Sequence, residues 1–432
     1  MHRHLVKRTS HKLEIRLPWL QPRPNCRSCV GHASSFQHNN YARLHSSSRV
    51  SINENDNLNT KLLELGFEKH YKIRSNIELL IQDYARKPIQ PITFDYITKY
   101  KPPLKDTAEY MLSIKTVNLL LSFTCRQLNA IHELPYIVVL NPNIEISNSL
   151  YLKTLETLLS IEYPYGLQNR EAMTKMLIQF LDEHQDTLVT LSRGFQEVME
   201  FYPKESVFTF LNQHLRDRIA MKLLARHYLS LLDQSKRSEP GKMIGALHKN
   251  LKISDLIHQV SEYVNDLCFV KYDHTVPISI LAGDDVTFPC IPTHLEYVIT
   301  EVLKNSSRAH IEATTPDCDL TEKPIEITIV RSDNELQIRI RDFGGGIPPK
   351  VEDKMFDYSY STVAEKKKDT GAEAYMIPGE DINNVSGMGF GLPMCRAYLE
   401  MFDGALDIQS LWGWGTDVYI KLNGPTKEML EE

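Results

Sequence analysis

The stretch IRIRDFGGGIPPK, residues 338–350, decides how this chain is read. Ile338 and Ile340 alternate with arginines, as in a strand with one apolar face. Asp342-Phe343-Gly344 closes that strand, and this tripeptide is the metal-holding signature of ordinary protein kinases. Such a kinase also needs a His-Arg-Asp catalytic loop shortly upstream, a Gly-rich loop and a Val-Ala-Ile-Lys strand near its N-terminus, and Ala-Pro-Glu downstream. The nearest imitation of the catalytic loop runs from His214 to Asp217, far too early and inside an apolar-periodic segment. Ala-Pro-Glu is absent, and the upstream half has no Gly-rich loop. The informative unit is therefore Asp342-x-Gly344-Gly345-Gly346. Its glycines let the backbone turn sharply and approach a ligand closely. A carboxylate at the strand end can accept a hydrogen bond from an amine in a pocket, such as an adenine amino group.

Two more segments belong with it. SGMGFGLP, residues 386–393, sets Gly387, Gly389 and Gly391 just before a helical pattern. Bare N–H groups at a helix N-terminus make a phosphate site, although this pattern alone serves equally as a flexible loop. EVLKNSSRA, residues 301–309, sets Glu301, Lys304, Asn305 and Arg308 at steps of three and four, on one helix face. A lone helix face of this kind is more often simply solvated. Here Val298, Val302 and Leu303 supply the opposite, core-facing side, so the polar face is expected to look toward the two Gly clusters. An Asn oxygen there suits Mg²⁺, which favours oxygen ligands.

The rest of the chain frames these segments. At 432 residues it is too long for one core. Residues 58–238 read as long helices. Met173, Met176, Leu177, Phe180, Leu181, Leu188, Leu191, Phe195 and Val198 recur at steps of three and four and predict one helix of about seven turns. Residues 108–131 and 211–232 behave alike, and Pro135, Pro142, Pro164 and Pro203 mark breaks, which together predict an up-and-down bundle. The polar DQSKRSEPGK, 233–242, is the expected boundary. Residues 243–425 then alternate. A helix over KISDLIHQVSEYVNDL, a strand over VPISILAG and a helix over HLEYVITEVLKNSSRAHIEA come first. A hairpin follows, with Ile325, Ile327 and Ile329 on one arm and Leu336, Ile338 and Ile340 on the other, turned at Ser332-Asp333-Asn334. After a polar stretch, 350–386, a Gly-rich turn opens a helix over 387–403. A last hairpin, ALDIQSL and TDVYIKL, turns at Gly413-Trp414-Gly415. The expected class is α+β: a helical bundle, then an α/β sandwich with helices on one sheet face.

The net charge of −6 argues against nucleic acid as the main partner. No apolar run approaches the roughly 18 residues of a membrane span. Residues 1–50 hold nine Lys/Arg and one acid, Glu14, and are rich in Ser. That is the composition of a mitochondrial transit peptide; a disordered basic arm is the alternative. Cys26 and Cys29 have redox spacing but no second pair, and Cys125, Cys268, Cys290, Cys318 and Cys395 show no pairing pattern. A reducing compartment such as the mitochondrial matrix fits.

In their order, the polar helix face and the two Gly clusters resemble the N-box and Gly boxes of the GHKL ATPase superfamily, which joins gyrase, Hsp90, histidine kinases and MutL. Residues 350–386, with AEKKKD, resemble its ATP lid. The fuller wording is similar to the mitochondrial protein kinases of 2-oxoacid dehydrogenase complexes: LPYIVVLNPNI, HLEYVITEVLKNSSRA, RDFGGGIP, FDYSYST and GMGFGLPMCRAYLEMFDGALDIQSLWGWGTDVYIKL. This resemblance runs from about residue 90 to 423. It implies a bundle domain ahead of a GHKL ATP domain, Mg-ATP as phosphoryl donor, and phosphoserine on an E1α subunit as product. It implies that Asn305 holds Mg²⁺, that Glu301 is the general base, and that Lys304 and Arg308 face the nucleotide. Asp342 would bind adenine with Thr416 beside it. Gly344, Gly346, Ser361 and Thr362 would line the nucleotide, and Gly387, Met388, Gly389, Phe390, Gly391 and Leu392 would wrap its phosphates. Met355, Asp357 and Tyr360 stand at the spacing of a potassium site. The implied partners are E1α, lipoyl domains of the E2 core, and a second copy bound through the ATP domain to form a homodimer. Trp412, Trp414 and Tyr419 would serve such a contact or pack in the core.

The substrate divides the family. Tyr297 stands where the pyruvate dehydrogenase kinases usually carry His, and with IQSLWGWGTDVYIKL it leans to the branched-chain kinase. FDYSYST and Pro348-Pro349 lean to the pyruvate type. Pyruvate dehydrogenase, the more widespread complex, is the expected target, with the branched-chain enzyme as alternative. Two remoter readings are a histidine kinase and an inactive ATP-binding scaffold. The first would need His227 as phosphoacceptor, yet Tyr228 and Leu229 follow it where an acid belongs. Intact Glu301, Asn305 and both Gly clusters argue against the second.

Overall fold

The computed structural model describes residues 72, 74–161, 169–199, 201–237, 241–313, 323–352, 354–358 and 390–431. The basic segment 1–50, Pro164, Cys318, Tyr360, Ser361, Thr362, Gly387, Met388 and Gly389 lie outside the described residues, as does most of 350–386.

Up to Lys236 the described chain is helical. Its long helices are α1 (Asp106–His132), α2 (Pro142–Leu159), α3 (Arg170–Glu183), α4 (Thr187–Val198) and α5 (Lys204–Lys236). Local chemistry starts several of them. Asn141 caps α2 by accepting the Asn143 N–H at 2.9 Å, with Pro142 in the first helical position. Asn169 caps α3 by accepting the Ala172 N–H at 3.0 Å. Helix α1 packs on α2 and α5, α2 on α4, and α3 on α5. Leu120, Leu128, Tyr151, Leu191, Phe195 and Tyr228 are buried among them.

The single long helix expected over residues 173–198 is in fact two. The apolar stripe is continuous, since Met173, Leu177, Phe180, Leu188, Leu191, Phe195 and Val198 are all buried. The backbone nevertheless leaves the helix between Glu183 and Thr187. Arg218 of α5 explains the break. It is buried, and its Nη2 donates to the carbonyls of His184 at 2.7 Å and Gln185 at 2.6 Å. A helix end presents carbonyls with no intrahelical partner and a partial negative charge. Ending α3 here supplies acceptors for a buried cation.

Sheets begin at Met243. Strands β1 (Met243–Ile244), β2 (Leu247–Lys252) and β4 (Thr287–Cys290) form a small sheet in the order β1-β2-β4. The sequence reading did not anticipate it, because β1 has two residues and LHKNLK lacks clean alternation. A five-stranded sheet runs in the order β3-β5-β6-β8-β7 from β3 (Ile278–Ala282), β5 (Ile325–Ser332), β6 (Glu335–Asp342), β7 (Ala405–Leu411) and β8 (Gly415–Asn423). Only β3 and β5 are parallel among its pairs. The expected hairpins hold: Ile327 pairs with Ile340 and Ile329 with Ile338, and Asp333 turns the first at φ 28°.

Helices α6 (Ile253–Tyr272), α7 (Pro292–Ala313) and α8 (Gly391–Glu400) cover one sheet face. The other face carries Arg339 and Arg341, both paired with Asp417. The architecture is α+β, as expected. Helix α8 has two dry sides: Cys395 and Leu399 join the sheet core, while Met394 and Ala397 join the bundle core together with Phe390.

Candidate active site

Helix α7 turns its apolar side to the sheet, with Val298, Val302 and Leu303 at most 1% exposed. Glu301, Lys304, Asn305 and Arg308 share the other side. Glu301 is nonetheless only 7% exposed. Lys304 Nζ donates to its Oε1 at 2.7 Å. Asn305, one turn on, is exposed. Arg308 donates from Nε to Glu312 at 2.6 Å.

Strand β6 delivers Asp342 to a buried position opposite Thr416 of β8. Its Oδ1 accepts the N–H of Gly344 at 3.0 Å and of Thr416 at 3.2 Å. Those bonds fix how the carboxylate is aimed. Burial raises its proton affinity, and the N–H donors together with the Ser306 side chain oppose that shift. Gly346 has φ +69°, and a Cβ there would stand 2.5 Å from the Leu411 carbonyl oxygen. The first Gly cluster is laced to the β7–β8 turn: Gly413 N–H donates to Gly345 O at 2.8 Å, and Ile347 N–H to Ser410 Oγ at 2.7 Å.

Of the second Gly cluster, Phe390, Gly391 and Leu392 are described. Phe390 is the N-cap residue of α8 and Gly391 its first residue. A Cβ on Gly391 would stand 2.7 Å from Glu301 Oε2. Glycine lets the carboxylate rest directly against the backbone that opens the helix. Glu301 thus sits between the Lys304 ammonium and the backbone that opens α8.

These placements bring Glu301, Lys304 and Gly391 into contact, and Asp342, Gly344 and Thr416 into a second group. Tyr297, one turn before Glu301, has a buried hydroxyl without a hydrogen-bond partner among the described residues. Burial, then the Glu301 charge, push its phenol well above the ordinary range. Met355 and Asp357 are half-buried. Trp412 and Trp414 are 59% and 72% exposed, so neither packs in the core. His227 is buried, and its Nδ1 accepts the Ala246 N–H at 3.2 Å, a poor position for a phosphoacceptor. The thiols of Cys125, Cys268, Cys290 and Cys395 are buried and unpaired. No helix among the described residues is long and apolar enough to cross a membrane. Sequence reasoning passed over Ser306 and Ser410. Ser306 follows Asn305 directly and was open to reading, whereas Ser410 reaches the Gly cluster only through the sheet register.

Comparison with known proteins gives a consistent picture. Residues 91–248 match the family described as mitochondrial branched-chain alpha-ketoacid dehydrogenase kinase. Residues 290–426 match the histidine kinase-, DNA gyrase B- and HSP90-like ATPase family. The chain is 55% identical over 372 residues, 85% of its own length and 93% of the relative's, to mitochondrial pyruvate dehydrogenase (acetyl-transferring) kinase 1 of Saccharomyces cerevisiae. It is 26% identical over 319 residues, 71% of this chain and 74% of the relative, to mitochondrial pyruvate dehydrogenase (acetyl-transferring) kinase isozyme 4 of Mus musculus. The isozyme 4 of Rattus norvegicus gives the same identity over 318 residues, again 71% of this chain and 74% of the relative.

Proposed function

The chain belongs to the mitochondrial pyruvate dehydrogenase kinases, and from that membership we propose that it transfers the γ-phosphoryl group of ATP to a serine of the E1α subunit of pyruvate dehydrogenase, inactivating the complex. The observation that carries this reading is Glu301, a buried carboxylate held against the opening of α8 one turn from Asn305. The branched-chain alternative is not favoured. That name attaches to the match over 91–248 alone, while the relatives matched over most of the chain are named for pyruvate dehydrogenase.

Each group has a task that its surroundings support. Asp342, aimed by the Gly344 and Thr416 N–H groups, accepts the adenine amino N–H. Asn305 is the oxygen donor that would hold Mg²⁺, whose charge offsets that of the phosphates. Lys304, Arg308 and the N-terminus of α8 at Gly391 and Leu392 add positive charge on the same side. Glu301 accepts the serine hydroxyl proton as that oxygen takes the phosphoryl group. The resemblance adds Gly344, Gly346, Ser361, Thr362, Gly387, Met388, Gly389 and Phe390 as nucleotide-lining positions. It also adds a potassium ion at Met355, Asp357 and Tyr360, which a K⁺-dependent activity would support. Matrix location, docking on lipoyl domains of E2, and dimer formation belong to the same proposal. The exposure of Trp412 and Trp414 supports a contact role for that turn.

The test is incubation with Mg-ATP and purified pyruvate and branched-chain dehydrogenase complexes in parallel. Serine label on the pyruvate E1α is expected. Label on the branched-chain E1α alone would move the substrate, and acid-labile phosphohistidine on this chain would overturn the serine-kinase reading.

A further inference from the structure

Bundle helix α5 grips the opening of α8 through two contacts that no catalytic requirement explains. Tyr358, 4% exposed, donates its hydroxyl to Asn212 Oδ1 of α5 at 2.5 Å. Its ring stands 6.0 Å from Phe208 of α5 and 5.4 Å from Phe390. Phe390 is fully buried, caps α8 and accepts the Met394 N–H at 2.9 Å. The next residue, Gly391, lies against Glu301. At the far end of α8, Glu400 pairs with Arg216, one turn along α5 from Asn212. Arg396 lies over the Phe356 ring at 3.4 Å, tying the segment before Tyr358 to α8 as well. Burial holds the Tyr358 phenol protonated and able to donate.

Resting on the kinase reading above, we propose that Asn212 and Arg216 are positioning residues for phosphoryl transfer: through Tyr358 and Phe390 at one end of α8 and Glu400 at the other, they set where Gly391 stands and hence where the Glu301 carboxylate points. The argument is geometric. A methyl group on Gly391 would stand 2.7 Å from Glu301 Oε2, so the carboxylate end would have to move to admit it. A shift of α8 along or across α5 therefore moves the wall against which the carboxylate rests. A displacement of about 1 Å at a reacting group can cost as much as 10²-fold in rate. Asn212 and Arg216 are themselves exposed, so packing of the bundle does not depend on their side chains.

The experiment uses the full enzyme and the purified pyruvate dehydrogenase complex. Asn212→Ala and Tyr358→Phe each remove the hydrogen bond and keep the ring packing. Each is expected to lower kcat for E1α labelling by about tenfold, with ATP affinity and melting temperature close to the parent. The double variant is expected to be no worse than the more damaged single one, as for residues acting through one contact. Arg216→Glu is expected to lower kcat, and adding Glu400→Arg to restore it. Unchanged kcat in Asn212→Ala, losses that multiply in the double variant, or no rescue by charge exchange would overturn the proposal. A loss of kcat that tracks a loss of melting temperature would also overturn it, as the mark of a merely structural role. A parent that labels E1α while the variants match it refutes the positioning role alone. A parent that labels nothing refutes the kinase reading and the positioning role with it.

Discussion

Glu301 is paired with Lys304 and rests against a glycine, and both facts have measurable consequences. Glu301→Gln keeps the shape and the Gly391 contact but cannot take a proton. Nucleotide binding is expected to persist while E1α labelling falls by about 10² or more, the usual worth of a positioned acid–base group. Labelling at the parent rate would remove Glu301 as base. Gly391→Ala attacks the same carboxylate from the other side, since its methyl would stand 2.7 Å from Oε2. It is expected to lower kcat without abolishing nucleotide binding, a split that equilibrium ATP titration and single-turnover labelling separate. Asn305→Ala is the converse. The side chain is exposed, so melting temperature in the absence of nucleotide should hold, while Mg-ATP binding is lost. Retained calorimetric binding would take the metal away from Asn305. These residues stand out in the sequence by type and spacing, while the roles proposed for them come from the family resemblance. The contact between Glu301 and Gly391 was not legible there, because its two members are ninety positions apart.

At the scale of elements, the break between α3 and α4 shows tertiary packing overriding a local pattern. The apolar stripe runs through it unbroken, and only the buried Arg218 on another helix accounts for the turn. The same place carries a pH dependence. His184 and His214 are buried, their Nε2 atoms facing Thr154 Oγ1 at 2.8 Å and the Tyr151 phenol oxygen at 3.0 Å, respectively. Burial first, and the Arg218 charge second, lower both rings to about 3. In the unfolded chain each would take a proton near its ordinary value of about 6.5. Between those values the unfolded state binds more protons than the folded one, so stability is full above about pH 6.5 and falls as the pH drops toward 3. Each histidine contributes a slope of about 1.4 kcal/mol per pH unit across that window. Urea unfolding at pH 7.5, 6 and 5 should show stability falling at each step, and a flat profile would contradict the buried neutral rings. The five-stranded sheet, by contrast, was readable strand by strand, because alternation with period two reports one buried face wherever the partner strands lie.

Across the whole molecule, α8 is the shared element: one side completes the sheet core, the other the bundle core, and its first residue touches Glu301. The turn at Trp412 and Trp414 is the opposite case, two large apolar side chains left in solvent. Replacing both by Ala should change stability by no more than about 0.5 kcal/mol. The same change should weaken dimer formation in sedimentation or binding to a lipoylated E2 domain. Unaltered behaviour in both assays would make the turn a bystander. The sequence by itself determined the fold class, the two hairpins and the polar face of α7, because periodicity and side-chain chemistry are local properties. Only the tertiary structure decided that α3 stops at Glu183, that Glu301 is buried against Gly391, and that α5 holds both ends of α8. Those outcomes depend on which distant groups share a dry, close-packed space, where a buried charge must find acceptors and a carboxylate must fit against backbone, and no spacing along the chain encodes that.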